Sequence, residues 1–149
     1  MRATPEQLHE MFSYCMDFAR TMLEKAGDFY PFGATLAPDG VVATVGGDNG
    51  EEKPNPLEIY KLLSDAFGTG ALDGQFLGVA LAANVNIPAQ YSPTAPDGLR
   101  VQLETFGYAR YVYVPYQVKQ EGIFKKKNVV VFDEPFSVEI PANFFVSTS

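Results

Sequence analysis

The segment from residue 75 to 87 constrains the fold most, because it has the pattern of a strand that is apolar on both faces. Large and small apolar side chains alternate along it, as expected when successive residues of a strand point to opposite sides of a sheet. One face carries Leu77, Val79, Leu81, Ala83, Val85 and Ile87, and the other carries Gly78, Ala80 and Ala82. Because these small residues leave room for close packing, the sequence predicts a helix lying against the sheet.

Two amphipathic helices are predicted to supply that packing. The first spans about residues 5 to 26, with a capping box that begins at Thr4 and with Gly27 at its end. The second begins at the N-cap Asn55 and ends at Gly68. Their apolar stripes comprise Leu8, Met11, Phe12, Cys15, Phe18, Ala19, Met22, Leu23 and Ala26 in the first helix and Ile59, Leu62, Leu63, Ala66 and Phe67 in the second.

The remaining strands are predicted to pair as hairpins. Residues 34–36 and 41–45 flank a turn whose Pro38 and Gly40 suit its dihedral angles. Further strands are expected over 99–104, 109–118 and 128–132. In the first of these, Arg100, Gln102 and Glu104 take alternate positions, which predicts a face exposed to water.

The order of these elements predicts an α+β fold. It reads helix, strand, strand, helix and then three or four strands, so the two amphipathic helices should pack on an antiparallel sheet of about five or six strands. This order resembles profilin-like and roadblock-like folds. The length of 149 residues suits a single domain over residues 1–149, and residues 133–149 are expected to dock as an irregular tail.

The charge and the composition exclude several classes of partner. Eighteen acidic against eleven basic residues give a net charge of −7, which opposes binding to nucleic acid and to anionic lipid. The run Lys125–Lys127 is interpreted as an exposed turn. No transmembrane span and no signal peptide are recognisable, so we expect a cytoplasmic protein with no membrane and no nucleic-acid partner.

The sequence offers little of the chemistry that catalysis or metal binding needs. The one cysteine, Cys15, falls in an apolar stripe, and the one histidine, His9, lies in the first turn of a helix. The acidic loop over 46–52 lacks the spacing of a calcium loop and is interpreted as solvated. No catalytic residue, metal site or cofactor is therefore predicted.

The aromatic residues are the best candidates for a binding site. Phe29-Tyr30-Pro31-Phe32 forms a corner after the first helix, which is expected mainly to pack the helix end against the sheet and second to form a pocket wall. Tyrosine and arginine, which are favoured at interface centres, recur in the strand over 109–118. Tyrosine is also common in strands at the edge of a core, and this structural role is favoured over recognition. The candidate binding residues are Tyr30, Phe32, Tyr60, Arg110, Tyr111, Tyr113 and Tyr116.

A set of short motifs carries a family resemblance. The motifs are FYPFGATLAPDG, GGDNGEEKPNP, LGVALAANVNIP, GLRVQLE and YVPYQV, and the similarity spans about residues 23 to 118. As a set they resemble a family of small uncharacterised bacterial proteins. The resemblance implies a bacterial, single-domain, cytosolic protein and assigns no site residue.

Two functions are open from the sequence. The first is a non-catalytic protein-interaction module that self-associates through a sheet edge or the aromatic face, or an immunity- or antitoxin-like acidic partner of a basic surface. The alternative is a small-molecule-binding protein or minor enzyme with a pocket beside the Phe29-to-Phe32 corner. That pocket would contain convergent polar groups such as Tyr30, Tyr60, Glu104 or Arg110.

Overall fold

The computed structural model describes residues 2–46 and 55–146. They form two α-helices, a short 3₁₀ helix at Ala89–Tyr91 and, within these ranges, a seven-stranded antiparallel sheet that curls. The elements are α1 Pro5–Ala26, β1 Phe32–Leu36, β2 Val42–Gly46, α2 Pro56–Leu72, β3 Gly78–Asn86, β4 Asp97–Thr105, β5 Tyr108–Glu121, β6 Lys127–Phe132 and β7 Phe136–Glu139. The predicted α+β class and order of elements are confirmed. None of the described helices is long and apolar enough to cross a membrane.

The strands lie in the order β2-β1-β3-β4-β5-β6, with β7 also paired to β5. The β1–β2 hairpin has the predicted turn, in which Gly40 takes a φ of 88°. β3 and β4 occupy the centre of the sheet. β5 is long enough to pair with β4 along its first part and with β6 along its last part.

The C-terminal segment is more regular than the sequence predicted. β6 and β7 follow one another along β5, so Phe132 faces Tyr116 and Phe136 faces Tyr113. The prediction of an irregular tail is wrong for Phe136–Glu139, because Phe136 stacks on Tyr113 at 5.3 Å between ring centroids. Residues 133–135 separate the two strands, and the register of pairing with β5 shifts by one residue between β6 and β7.

The two helices lie on opposite faces of the sheet. α1 has the predicted capping box at Thr4 and ends at Gly27, whose φ is 72°. Its apolar stripe packs on the face that carries Ala80 and Ala82. α2 packs on the other face, where Phe67 and Phe144 meet over Leu81.

The second helix does not end at Gly68 as predicted but continues to Leu72. A glycine in a helix costs only about 1 kcal/mol relative to alanine. Here the absence of a side chain at Gly70 lets the ring of Phe76 lie against the helix. Tertiary packing therefore overrides the local stop signal.

The predicted solvent-exposed face of β4 is wrong as well. Gln102 is 2% exposed and Glu104 is completely buried. α2 and the segment around Phe144 and Phe145 cover this side of the sheet. Buried polar groups are stable only when they are hydrogen-bonded, so the partners of these side chains lead to the candidate site.

Candidate functional site

A cavity of about 490 Å³ lies beside the C-terminal end of β3, next to the corner that follows α1. Its walls come from the corner, the first turns of α2, the end of β3 and one side chain of β4. The lining residues are Asp28, Phe29, Tyr30, Pro31, Pro56, Leu57, Tyr60, Ala83, Asn84, Val85 and Arg100. The walls are mainly apolar with a few polar groups, as in typical ligand sites.

The cavity exists because β1 is shorter than β3. β1 begins at Phe32, which is opposite Ala82, so it leaves the last part of β3 without a neighbour on that side. The preceding corner turns away from the sheet, since Pro31 favours an extended conformation at Tyr30. The start of α2 closes the gap from the other side.

Arg100 supplies the positive charge of the cavity. Its Nη2 donates to the hydroxyl of Tyr60 at 3.0 Å. Its Cζ lies 4.4 Å from the ring centroid of Tyr111 and 5.5 Å from that of Tyr60. Its Nε is buried and has no hydrogen-bond partner among the described residues.

No acidic group of the described residues neutralises Arg100 at contact distance. The one ion pair found within residues 2–46 and 55–146 joins Arg110 to Glu139 at 4.0 Å. Arg100 is instead held by aromatic rings and a neutral hydroxyl, which orient the guanidinium and leave its charge uncompensated.

A chain of hydrogen bonds fixes Tyr60 from below. Its hydroxyl donates to Oε1 of Gln102 at 3.0 Å, and Nε2 of Gln102 donates to Oε2 of Glu104 at 2.7 Å. The other oxygen of Glu104 accepts the backbone N–H groups of Asn143 and Phe144 at 2.8 and 2.9 Å. The cavity is thereby connected to the C-terminal segment, and the polar atoms in the chain are satisfied.

The ionisation of Tyr60 follows from the same surroundings. Burial raises the pKa of Tyr60, and the positive charge of Arg100 opposes that rise. Tyr60 is therefore a neutral hydroxyl near neutral pH, which can accept from Arg100 and donate to Gln102 at once.

Asp28 supplies a negative charge on another wall of the cavity. Its Oδ1 accepts the backbone N–H of Phe29 at 2.8 Å and Nδ2 of Asn84 at 2.7 Å. Asn84 is itself oriented by the hydroxyl of Tyr116, which donates to its Oδ1 at 2.7 Å. Both donors to Asp28 are neutral, so they position the carboxylate without neutralising its negative charge.

The structure distributes the seven predicted binding residues over three places. Tyr30, half exposed at the mouth, and Tyr60 line the cavity. The tyrosines of β5 lie behind it: Tyr111 under Arg100, Tyr113 opposite Arg100 in the strand register, and Tyr116 hydrogen-bonded to Asn84. Phe32 and Arg110 do not contribute to the cavity. Phe32 is buried against α1, and Arg110 lies over Tyr108.

The residues that carry the charge of the cavity were missed by the sequence reading. The sequence pattern predicts that Arg100 lies on a solvent-exposed strand face, and it does not single out Asp28 or Asn84. The available signal was the alternation of Arg100, Gln102 and Glu104 in a strand at the centre of the sheet. Three polar residues on one face of a central strand indicate a buried polar network wherever another layer covers that face.

The predicted scarcity of metal and nucleophile chemistry can be examined for the described ranges only. No group of three His, Cys, Asp or Glu residues suited to a metal ion occurs there. Most of the acidic loop over 46–52, with Asp48, Glu51 and Glu52, lies outside the described residues. Cys15 is buried on the face of α1 that packs against the sheet, and burial raises the pKa of its thiol to about 12.

No protein-family model, no curated protein sequence and no solved structure matches this chain. The resemblance to a family of small bacterial proteins therefore transfers no function to it. The cavity has to be interpreted from its own chemistry.

Proposed function

We propose that this protein binds a small amphiphilic carboxylate in the cavity beside the Phe29-to-Phe32 corner. The observation that carries the proposal is the state of Arg100, a partly buried cation that lines the cavity without an acidic partner among the described residues. A guanidinium removed from water without a counter-ion costs free energy. A carboxylate in the cavity would compensate that charge and accept hydrogen bonds from the guanidinium.

The shape and the walls of the cavity support a small ligand. The volume of about 490 Å³ lies within the range of about 300–1,000 Å³ typical of ligand sites. Phe29, Pro31, Leu57 and Val85 supply apolar surface for the rest of the molecule. Because Tyr60 and Tyr111 already hold Arg100, little side-chain ordering is left to oppose binding.

The test is a titration of the ¹⁵N-labelled protein with 4-methylpentanoate and with its neutral isostere 4-methylpentanamide, followed by NMR. We expect the carboxylate to shift amide signals around the cavity and the amide to bind more weakly. Arg100→Gln should weaken carboxylate binding by about tenfold or more, because a hydrogen bond to a charged group contributes about 1.5–3 kcal/mol.

A matched control is Arg110→Gln. Arg110 also lies over a tyrosine ring, at 4.6 Å, but outside the cavity. This variant should bind the carboxylate like the original protein. Equal affinity of the Arg100→Gln variant, with its fold intact by circular dichroism, would contradict the proposal, and so would binding of the neutral amide at least as tight as that of the carboxylate.

A second observation favours the interaction module. Ile123 and Phe124, in the turn between β5 and β6, are 92% and 101% exposed. Large apolar side chains exposed together are typical of contact surfaces. We propose that this hairpin tip mediates self-association, whereas the aromatic face is less suited to it because Tyr113 and Tyr116 are buried.

A further inference from the structure

We infer that the ligand is a zwitterion, with its carboxylate at Arg100 and an ammonium group at Asp28. The inference rests on the proposed function, since it concerns the other end of the molecule that Arg100 binds. Its basis is that Arg100 and the exposed carboxylate of Asp28 lie on different walls of the same cavity, and that neither forms an ion pair with another described residue.

The carboxylate of Asp28 is built into its place. One of its oxygens accepts hydrogen bonds from Phe29 N and Asn84 Nδ2, and Asn84 is held in turn by Tyr116. Among residues 2–46 and 55–146, no basic side-chain nitrogen lies within 4.0 Å of the carboxylate of Asp28; the one ion pair at that distance joins Arg110 and Glu139. Asp28 therefore presents a fixed negative charge to an occupant of the cavity.

That charge distinguishes between classes of carboxylate ligand. A ligand whose only charge is negative would be attracted by Arg100 and repelled by Asp28. A ligand that also carries an ammonium group would be attracted at both ends. The arrangement thus selects against simple anions, because a like charge near the site is a means of rejecting the wrong partner.

The remaining walls limit what lies between the two charges. Phe29, Pro31, Leu57 and Val85 are apolar, so the linking part of the ligand should be apolar too. A volume of about 490 Å³ accommodates an amino acid or a short peptide. We therefore assign the ligand to amino acids, ω-amino acids or dipeptides with apolar side chains.

The experiment compares zwitterions with analogues that have lost only the ammonium charge. L-Leucine, glycyl-L-leucine and 6-aminohexanoate differ in the distance between their charges, and each is titrated beside its N-acetyl derivative by NMR. At least one zwitterion should bind about twofold to fivefold more tightly than its acetylated partner, as expected for an ion pair with an exposed carboxylate.

Asp28→Asn should abolish that preference, because asparagine keeps the acceptor oxygen and loses the charge. The acetylated ligand should bind this variant as well as the original protein or better. Asp39→Asn is the matched control, since Asp39 also accepts a backbone N–H, that of Val41 at 3.0 Å, but lies outside the cavity. It should leave the preference unchanged.

The outcomes separate this inference from the proposed function. Zwitterions and acetylated ligands that bind equally well, with both weakened by Arg100→Gln, would overturn the inference that the ligand is a zwitterion. The same result would support the carboxylate site. A preference that survives Asp28→Asn would overturn the role of Asp28. If none of the six compounds binds, the proposed function fails and the inference fails with it.

Discussion

At the scale of single residues, burial decides which titratable groups can take part in chemistry. Cys15 is 1% exposed on the face of α1 that packs against the sheet. Burial raises the pKa of its thiol from 9.0 to about 12. The group is therefore a neutral part of the core at physiological pH, which is the role that its position in the apolar stripe predicted.

This shift gives a prediction about stability in alkali. The folded protein holds the Cys15 proton more tightly than the unfolded chain, so its contribution to stability is complete below about pH 9 and is lost as the pH rises towards 12. The loss should amount to about 1.4 kcal/mol per pH unit over that window. Burial also raises the pKa of Tyr60, Tyr113 and Tyr116 above 10.0, which adds a loss of the same sign as the pH rises beyond that value.

Urea unfolding between pH 7 and 10.5 measures the effect, with Cys15→Ala as the comparison. The original protein should lose stability more steeply above pH 9 than the alanine variant, whereas both should be insensitive to pH below it. Parallel curves across the whole range would show that the thiol is not the responsible group.

At the scale of elements, Glu104 connects the sheet to the C-terminal segment. It is completely buried in β4 and accepts the backbone N–H groups of Asn143 and Phe144. Phe144 packs edge-on against Phe67 of α2, with 6.2 Å between ring centroids. One carboxylate thus fixes the segment that, together with α2, covers this face of the sheet.

Glu104→Gln should loosen that segment. The amide that replaces one carboxylate oxygen cannot accept from Gln102, so a buried donor loses its partner, which costs about 1–3 kcal/mol. Hydrogen exchange at residues 143–145 should accelerate. Glu139→Gln is the control, because Glu139 is 82% exposed in β7 and should leave exchange and stability unchanged. Unaltered exchange in the Glu104→Gln variant would contradict this role.

The same elements show where sequence patterns suffice. α1 was predicted from end to end because its signals, Thr4 and Gly27, are local. The end of α2 depends on the ring of Phe76, which packs against Gly70 from outside the helix. The burial of Glu104 depends on chain about 40 residues away, and no periodicity within β4 reports it.

The sequence patterns predict only some of the residues that line the cavity. The aromatic corner and Tyr60 were expected beside a pocket, because exposed aromatic residues near a chain turn are conspicuous. The roles of Arg100 and Asp28 depend on the register between β1 and β3. Because β1 begins only at Phe32, opposite Ala82, the end of β3 is left open beside them. Strand pairing is a long-range property, so the composition of either strand does not contain it.

At the scale of the whole molecule, charge and exposed apolar surface are unevenly distributed. Residues 119–127 contain four of the seven lysines and a single acid, so the rest of the chain is more acidic than the net charge of −7 indicates. Ile123 and Phe124 lie at the centre of this basic segment. The hairpin tip of one molecule is therefore complementary in charge to the remaining surface of another.

Self-association through this tip gives the last prediction. Ile123→Ser combined with Phe124→Ser should leave the melting temperature unchanged, because both side chains are almost fully exposed and make no core contacts. The same double substitution should lower the dimer fraction measured by native mass spectrometry over a range of protein concentrations. Leu72→Ser, at a residue 68% exposed at the end of α2, is the control and should keep that fraction. A dimer fraction that both variants retain would locate the contact elsewhere, and a monomer at every concentration would remove the self-association proposal and leave the cavity as the functional surface.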